Sequence, residues 1–224
     1  MLVSCVYCCP ILLQEAGQYE EALRTLYKRG SHIVDKLALK EQMAALFLKL
    51  NRNSEAQIKY RDLIDYNPDN YNYYHKLQES MGLSNEQVTT EKQMTELKEL
   101  YAELQQKYPK AIATKRLPLN FLTGDDFSAA YTEYIQPFLR KGVPSLFCSL
   151  VYLYENEEKT KRMEDIIMKT AASLEEYGTF TGKAATDEEK ESPSVLVWAL
   201  LLKAHHYDQV GKPVEALDII DKAM

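Results

Sequence analysis

The chain has 224 residues, 27 basic against 33 acidic, and its net charge of −6 excludes whole-chain attraction to nucleic acid or an anionic membrane. At 46% apolar and 27% charged residues it has a globular composition, and a mean hydropathy of −0.39 with no apolar run of eighteen residues leaves no membrane-spanning helix. Eight glycines and eight prolines are too few for the turns of an all-β chain this long.

The opening MLVSCVYCCPILL lacks the charged start and small-residue cleavage site of a secretory leader, so residues 1–10 read as an atypical start to a first helix. Cys5, Cys8 and Cys9 crowd this segment and Cys148 stands alone, which is no disulfide framework; a reducing, cytoplasmic setting is expected. Cys5-x-x-Cys8 is half a zinc knuckle, but only His32 follows within reach, and four ligands are needed. No metal site is expected.

From Leu12 to Leu26 the apolar residues fall at helical spacing, with Gly17 and Ala22 at repeat positions. Ala22 and Ala56 lie 34 residues apart, the period of tetratricopeptide (TPR) repeats. Around Ala56, the positions Met43, Ala44, Phe47, Tyr60 and Pro68 stand at the offsets of that repeat. The physical reason is that alanines let two antiparallel helices approach, while Phe47 and Tyr60 fill the adjoining groove. Pro68 then stops the second helix. The next pair begins at Tyr71–Tyr74, with Leu77 and Met81 at helical spacing. Tyr101, Leu104 and Pro109 copy Tyr60, Leu63 and Pro68 at an offset of 41, which places a seven-residue insertion in the polar stretch Ser84–Glu91.

Beyond Pro109 the pattern loosens but stays helical. Leu117, Leu119, Phe121 and Leu122 are too apolar for a solvent loop, and Pro118 sets a turn, so this stretch is expected to be structural. Phe127, Ala130, Tyr131, Tyr134, Ile135, Phe138 and Leu139 form one stripe, which Pro137 is expected to kink or end. Pro144 opens Leu146–Tyr154, and Met163, Ile166, Ile167 and Leu174 mark another helix. Residues 178–193 lack large apolar side chains apart from Phe180 and read as a flexible insertion. The last unit carries Ala204, Tyr207, Gly211, Ala216, Ile220 and Ala223 at repeat positions, with Gly211 as a helix C-cap and Leu217 and Ile220 as exposed apolar surface. The expected fold is therefore all-α, a TPR-type right-handed superhelical solenoid of antiparallel helix pairs. Residues 1–224 make a single segment of about six pairs.

No catalytic constellation emerges. His32, His75, His205 and His206 are scattered, and the last two sit on a repeat helix where a surface or partly packed histidine is usual. Gly178 to Lys183 suggests a phosphate loop, but three residues separate its glycines instead of four, Ala184 replaces the hydroxyl residue, and no strand precedes it. Without a Gly-x-Gly pair there is no dinucleotide or acetyl-CoA loop, so no cofactor is expected. Glu20-Glu21 and Asp125-Asp126 suit helix N-termini or solvated turns. Between Gln105 and Gly124 the charged residues are all basic: Lys107, Lys110, Lys115 and Arg116. They serve either a solvated helix C-terminus or a contact to a polyanion such as ribosomal RNA. Ser192-Pro193 is too common a dipeptide to carry weight.

RLPLNFLTG (Arg116 to Gly124), preceded by Tyr108-Pro109-Lys110, has no place in the general repeat consensus. Together with NPDNYNYYHKLQ (Asn67 to Gln78), KGVPSLF (Lys141 to Phe147), LQEAGQYEEAL (Leu13 to Leu23) and HYDQVGKPVEALDII (His206 to Ile220), it closely resembles the auxiliary subunit of the N-terminal acetyltransferase A complex. The resemblance runs from about Leu12 to Met224, whereas MLVSCVYCC departs from it. It implies a non-catalytic, ribosome-associated TPR scaffold that binds and positions a catalytic acetyltransferase subunit for co-translational N-terminal acetylation. The implied assembly is a hetero-oligomer with neither DNA nor membrane as partner, and the chain is an inner portion of the scaffold. Two other readings stand beside it. A peptide-binding TPR co-chaperone requires Lys and Asn pairs on consecutive first helices, and Lys40 with Ala44-Ala45 does not supply the Asn. The other is an unrelated TPR assembly scaffold.

Overall fold

A computed structural model describes residues 10–83, 90–183, 186 and 188–223, and among these every regular element is helical. The three N-terminal cysteines, nearly all of the atypical start and most of the Ser84–Glu91 insertion lie outside the described residues.

The chain divides into two compact units, the first ending at Leu117 and the second beginning at Pro118. In the first, residues 10–15 are helical, followed by α1 (Tyr19–Arg29), α2 (Lys36–Lys49), α3 (Asn53–Tyr66), α4 (Tyr71–Ser80), α5 (Glu91–Lys107) and the short α6 (Ala113–Arg116). Local chemistry sets the helix ends. Asp35 accepts from the Ala38 N–H to start α2, and Thr90 and Gln93 exchange bonds in a capping box at α5. The helices α3 and α5 stop at Tyr66 and Lys107, two residues before Pro68 and Pro109.

Helix α3 folds back on α2 through a short turn in which Asn51 adopts φ 56°. Ala44 and Ala56 are completely buried at their contact, and Phe47 and Tyr60 are buried beside them, as the repeat spacing predicts. α4 packs on α3 and buries Tyr73, Tyr74 and Leu77. Tyr74 stacks on Tyr101 of α5 at 6.2 Å and donates its hydroxyl to the Pro68 carbonyl, so this buried ring has its polar end satisfied.

The second unit contains α7 (Pro118–Phe121), α8 (Gly124–Lys141), α9 (Ser145–Leu150), α10 (Glu157–Tyr177), α11 (Pro193–Gln209) and α12 (Pro213–Ala223), with a 3-10 turn at Val151–Glu155. The α8 stripe is buried at Phe127, Tyr131, Tyr134, Ile135 and Leu139. Pro137, expected to kink or end this helix, does not end it. The proline removes one backbone bond close to the C-terminus, and the left-handed closure at Gly142 supplies two, Gly142 N–H to Leu139 O and Val143 N–H to Phe138 O. Glycine is required at 142 twice over, by its φ of +64° and because a Cβ there would lie 2.3 Å from the Trp198 indole nitrogen.

Both ends of the 178–193 segment are anchored. Gly178 closes α10 with φ 71°, its carbonyl accepts from the Glu191 N–H at 2.8 Å, and the Arg140 guanidinium grips the Glu191 carboxylate while covering the Phe180 ring.

Candidate interaction surfaces

The basic residues near Pro109 are met by acids that lie far off in sequence. Lys107, at the end of α5, places Nζ 2.6 Å from an Asp65 oxygen of α3 and lies over the Tyr108 ring at 5.1 Å. The Tyr108 hydroxyl donates to the same carboxylate. These bonds, Lys107 first, hold the Asp65 carboxyl below its usual range, and Asp65 raises the Lys107 amine to about 12. Asp69 accepts the Ile112 and Ala113 N–H groups at 2.7 and 3.1 Å, anchoring the chain at α6. Lys110 is exposed and lines a shallow depression of about 310 Å³ with Pro68, Asp69 and Tyr108, while Lys115 and Arg116 on α6 are half-buried.

Within RLPLNFLTG, Leu117, Pro118, Leu119, Phe121 and Leu122 are all buried. Sequence reasoning missed what holds the motif. From α10, Lys159 reaches in, buried to 7% exposure, and donates from Nζ to the carbonyls of Leu119 and Asn120 at 2.7 and 2.8 Å. Its ammonium also lies over the Phe127 ring at 5.3 Å. A lysine among charged neighbours on a long helix carries no sequence signal for this.

The α11–α12 hairpin repeats α2–α3 at an offset of 160 residues. Ala204, Tyr207, Gly211, Lys212, Ala216 and Ile220 stand where Ala44, Phe47, Asn51, Arg52, Ala56 and Tyr60 stand. The match extends to geometry. Gly211 takes a left-handed φ of 77° as Asn51 does, and Lys212 covers Tyr207 at 5.6 Å as Arg52 covers Phe47 at 5.1 Å. In the first unit α4 closes over this hairpin, with Tyr73 donating to Glu41 of α2 and Gln57 of α3 donating to Ser80 O at 3.0 Å. At α11–α12 the corresponding surface is an apolar groove of about 380 Å³, lined by Phe147, Leu201, His205, Asp208, Leu217 and Ile220. Leu217 is 62% exposed, as expected, whereas Ile220 is partly buried and Ile219 more so.

His205 stacks on Phe147 at 5.4 Å. His206 departs from expectation: it is completely buried, its Nδ1 3.1 Å from the Tyr154 hydroxyl. Two adjacent helix positions face about 100° apart, so one ring lines the groove and the other enters the core.

Antiparallel helix pairs at repeat spacing define an all-helical, solenoid-like repeat protein. The family model described as "N-terminal acetyltransferase A, auxiliary subunit" matches residues 6–224, and the chain belongs to that family. It is 41% identical over 215 residues to the N-terminal acetyltransferase A complex auxiliary subunit NAA15 of Arabidopsis thaliana, an alignment covering 95% of this chain and 23% of the relative. The mouse N-alpha-acetyltransferase 16, NatA auxiliary subunit, is 32% identical over 210 residues, covering 94% of this chain and 23% of its own. Among solved structures, Naa15/Naa10 bound to HypK-THB matches with a TM-score of 0.68 and 27% identity, covering 99% of this chain and 36% of the other. The chain spans about a quarter of the length of these curated relatives.

Proposed function

We propose that this chain is a scaffold segment of the N-terminal acetyltransferase A complex, which binds and positions the catalytic acetyltransferase subunit and contributes no active site. In this reading residues 1–224 form one right-handed TPR-type solenoid segment of about six pairs in a cytoplasmic, ribosome-associated hetero-oligomer. The observation that carries it is the fold match over 99% of the chain to a structure described as Naa15/Naa10, joined to the family match over residues 6–224. Helix pairs of this kind bind by presenting many shallow surfaces at once, so a short segment contributes a fraction of the affinity.

The ribosome contact is assigned to Lys107, Lys110, Lys115 and Arg116. Charge distribution favours the first unit for it, with 16 basic against 15 acidic residues, compared with 11 against 18 in the second. Lys110 contributes most in this assignment because it is exposed, and Lys107 least because Asp65 holds it.

The test is an exchange. A complete auxiliary subunit is prepared with this chain replacing its matching segment, and its binding to the catalytic subunit and to salt-washed ribosomes is measured beside the unaltered subunit and the 224-residue chain alone. The exchanged subunit is expected to keep a tight complex, and the chain alone to bind weakly and to acetylate no peptide. Loss of the complex on exchange, or peptide turnover by the chain alone, overturns the reading.

A further inference from the structure

On α11 the fully buried His206 and the partly buried His205 each hold a buried Nε2 with no partner, a setting that favours the neutral ring. Helix α11 packs against α8, α10 and α12. The His206 ring lies 5.6 Å from Tyr154 and 6.0 Å from Tyr207, and its Nε2 is buried with no partner. His205 lies between Phe147, on which it stacks, and the edge of Tyr154 at 6.4 Å, and its Nε2 is likewise buried with no partner. From α8, the buried Tyr131 hydroxyl is a third polar atom without a partner, and it interacts electrostatically with Tyr154.

A neutral imidazole carries one donor and one acceptor, so at His206 the Tyr154 hydroxyl satisfies one nitrogen and the other is left as a bare lone pair or a single N–H. An imidazolium carries two donors. Protonation therefore puts a full charge and an N–H without an acceptor into the core, beside a second histidine with the same need. The charged groups facing the pair do not compensate. Glu164 of α10 favours the His206 cation, but Lys212 at the start of α12 and His205 itself oppose it. Asp208 and the Phe147 carbonyl favour the His205 cation. Burial outweighs them in both cases and holds both imidazoles below the usual histidine range.

We propose that His205 and His206 form an acid-sensitive latch, which holds the α11–α12 hairpin against α8, α10 and the 151–155 turn while both rings are neutral and loosens it when they are protonated. With the folded pKa values below the unfolded value of about 6.5, the open state takes up protons first. The stability contributed by the neutral pair is therefore fully present above about pH 6.5 and is lost as pH falls.

The repeat-matched hairpin α2–α3 contains no histidine and serves as an internal control. Amide hydrogen exchange of the 224-residue chain, corrected for intrinsic rates, is measured from pH 7 to 5.5. The opening constant for α11 and α12 is expected to rise, by at most roughly tenfold for each histidine, while that for α2 and α3 stays constant. His206→Gln should remove one histidine's share of the slope. If that variant does not fold, an NMR titration of the two rings in the parent chain decides. Equal acid response of the two hairpins, an unchanged slope in a folded His206→Gln, or ring pKa values at or above 6.5 overturns the latch.

Discussion

The hairpins α2–α3 and α11–α12 share six repeat positions, a left-handed turn and a cation over an aromatic ring, and they differ in the residues set between those positions. α4 covers the first, answering Glu41 and Gln57 with hydrogen bonds. The second presents Leu201 and Leu217 at those two positions, an apolar groove, and two histidines of which His206 is buried and His205 partly so. The repeat positions specify how two helices pair, and the residues between them specify what the pair meets next. Repeat proteins can therefore vary their surfaces while keeping one packing rule.

The comparison is broken most forcefully at its aromatic position. Phe47 is 2% exposed, so Phe47→Ala should destabilise by about 3–5 kcal/mol in denaturant unfolding, whereas Tyr207, only partly buried, should lose clearly less on the same truncation. Equal losses would mean that α4 adds nothing to the burial of the first hairpin. In the same assay Phe121→Ala tests RLPLNFLTG, and a loss of about 3–5 kcal/mol is expected for a ring at 7% exposure. An unchanged melting temperature with weakened binding of the catalytic subunit would instead make that segment an interface.

Overpacking comes next. Ala56→Leu, at a completely buried helix contact, should cost about 1–3 kcal/mol, and Ala216→Leu, at 6% exposure beside an open groove, should cost less. Thermal melts of the two variants rank the hairpins directly. Lys110→Ala should reduce the salt slope of ribosome binding by about one unit at unchanged stability, and Lys107→Ala by less. A larger effect at Lys107 would show that the Asp65 pair opens on binding. The smallest effect is expected for Leu217→Asp, within about 0.5 kcal/mol of the parent because the side chain is 62% exposed. A large loss there would show that the groove is filled in the folded chain.

Much of the architecture was legible because a few residue types have only one comfortable place in paired helices. Ala44, Ala56, Pro68, Pro109 and Gly211 act through size, a missing N–H or a positive φ, properties that neighbours hardly modify. The burial of Leu119 and Phe121 was legible for a similar reason, since a loop that apolar has to find cover. Pro137 does not end its helix, because it stands only one turn from the end, where Gly142 and Val143 already close the chain with bonds to Leu139 and Phe138. Lys159, His206 and Lys107 carried no signal: the carbonyls, hydroxyl and carboxylate they meet lie 39 to 52 positions away.

By itself the sequence determined the class of the molecule: all-helical, paired at repeat spacing, with helices ending where proline, glycine and capping side chains require. Those are local properties, written within one or two turns of chain. Only the tertiary structure decided which polar groups lose their water. Desolvation depends on every element that closes over a side chain, so a lysine on one helix becomes a buried clamp on two carbonyls, and of two adjacent histidines one lines a groove while the other lies in the core.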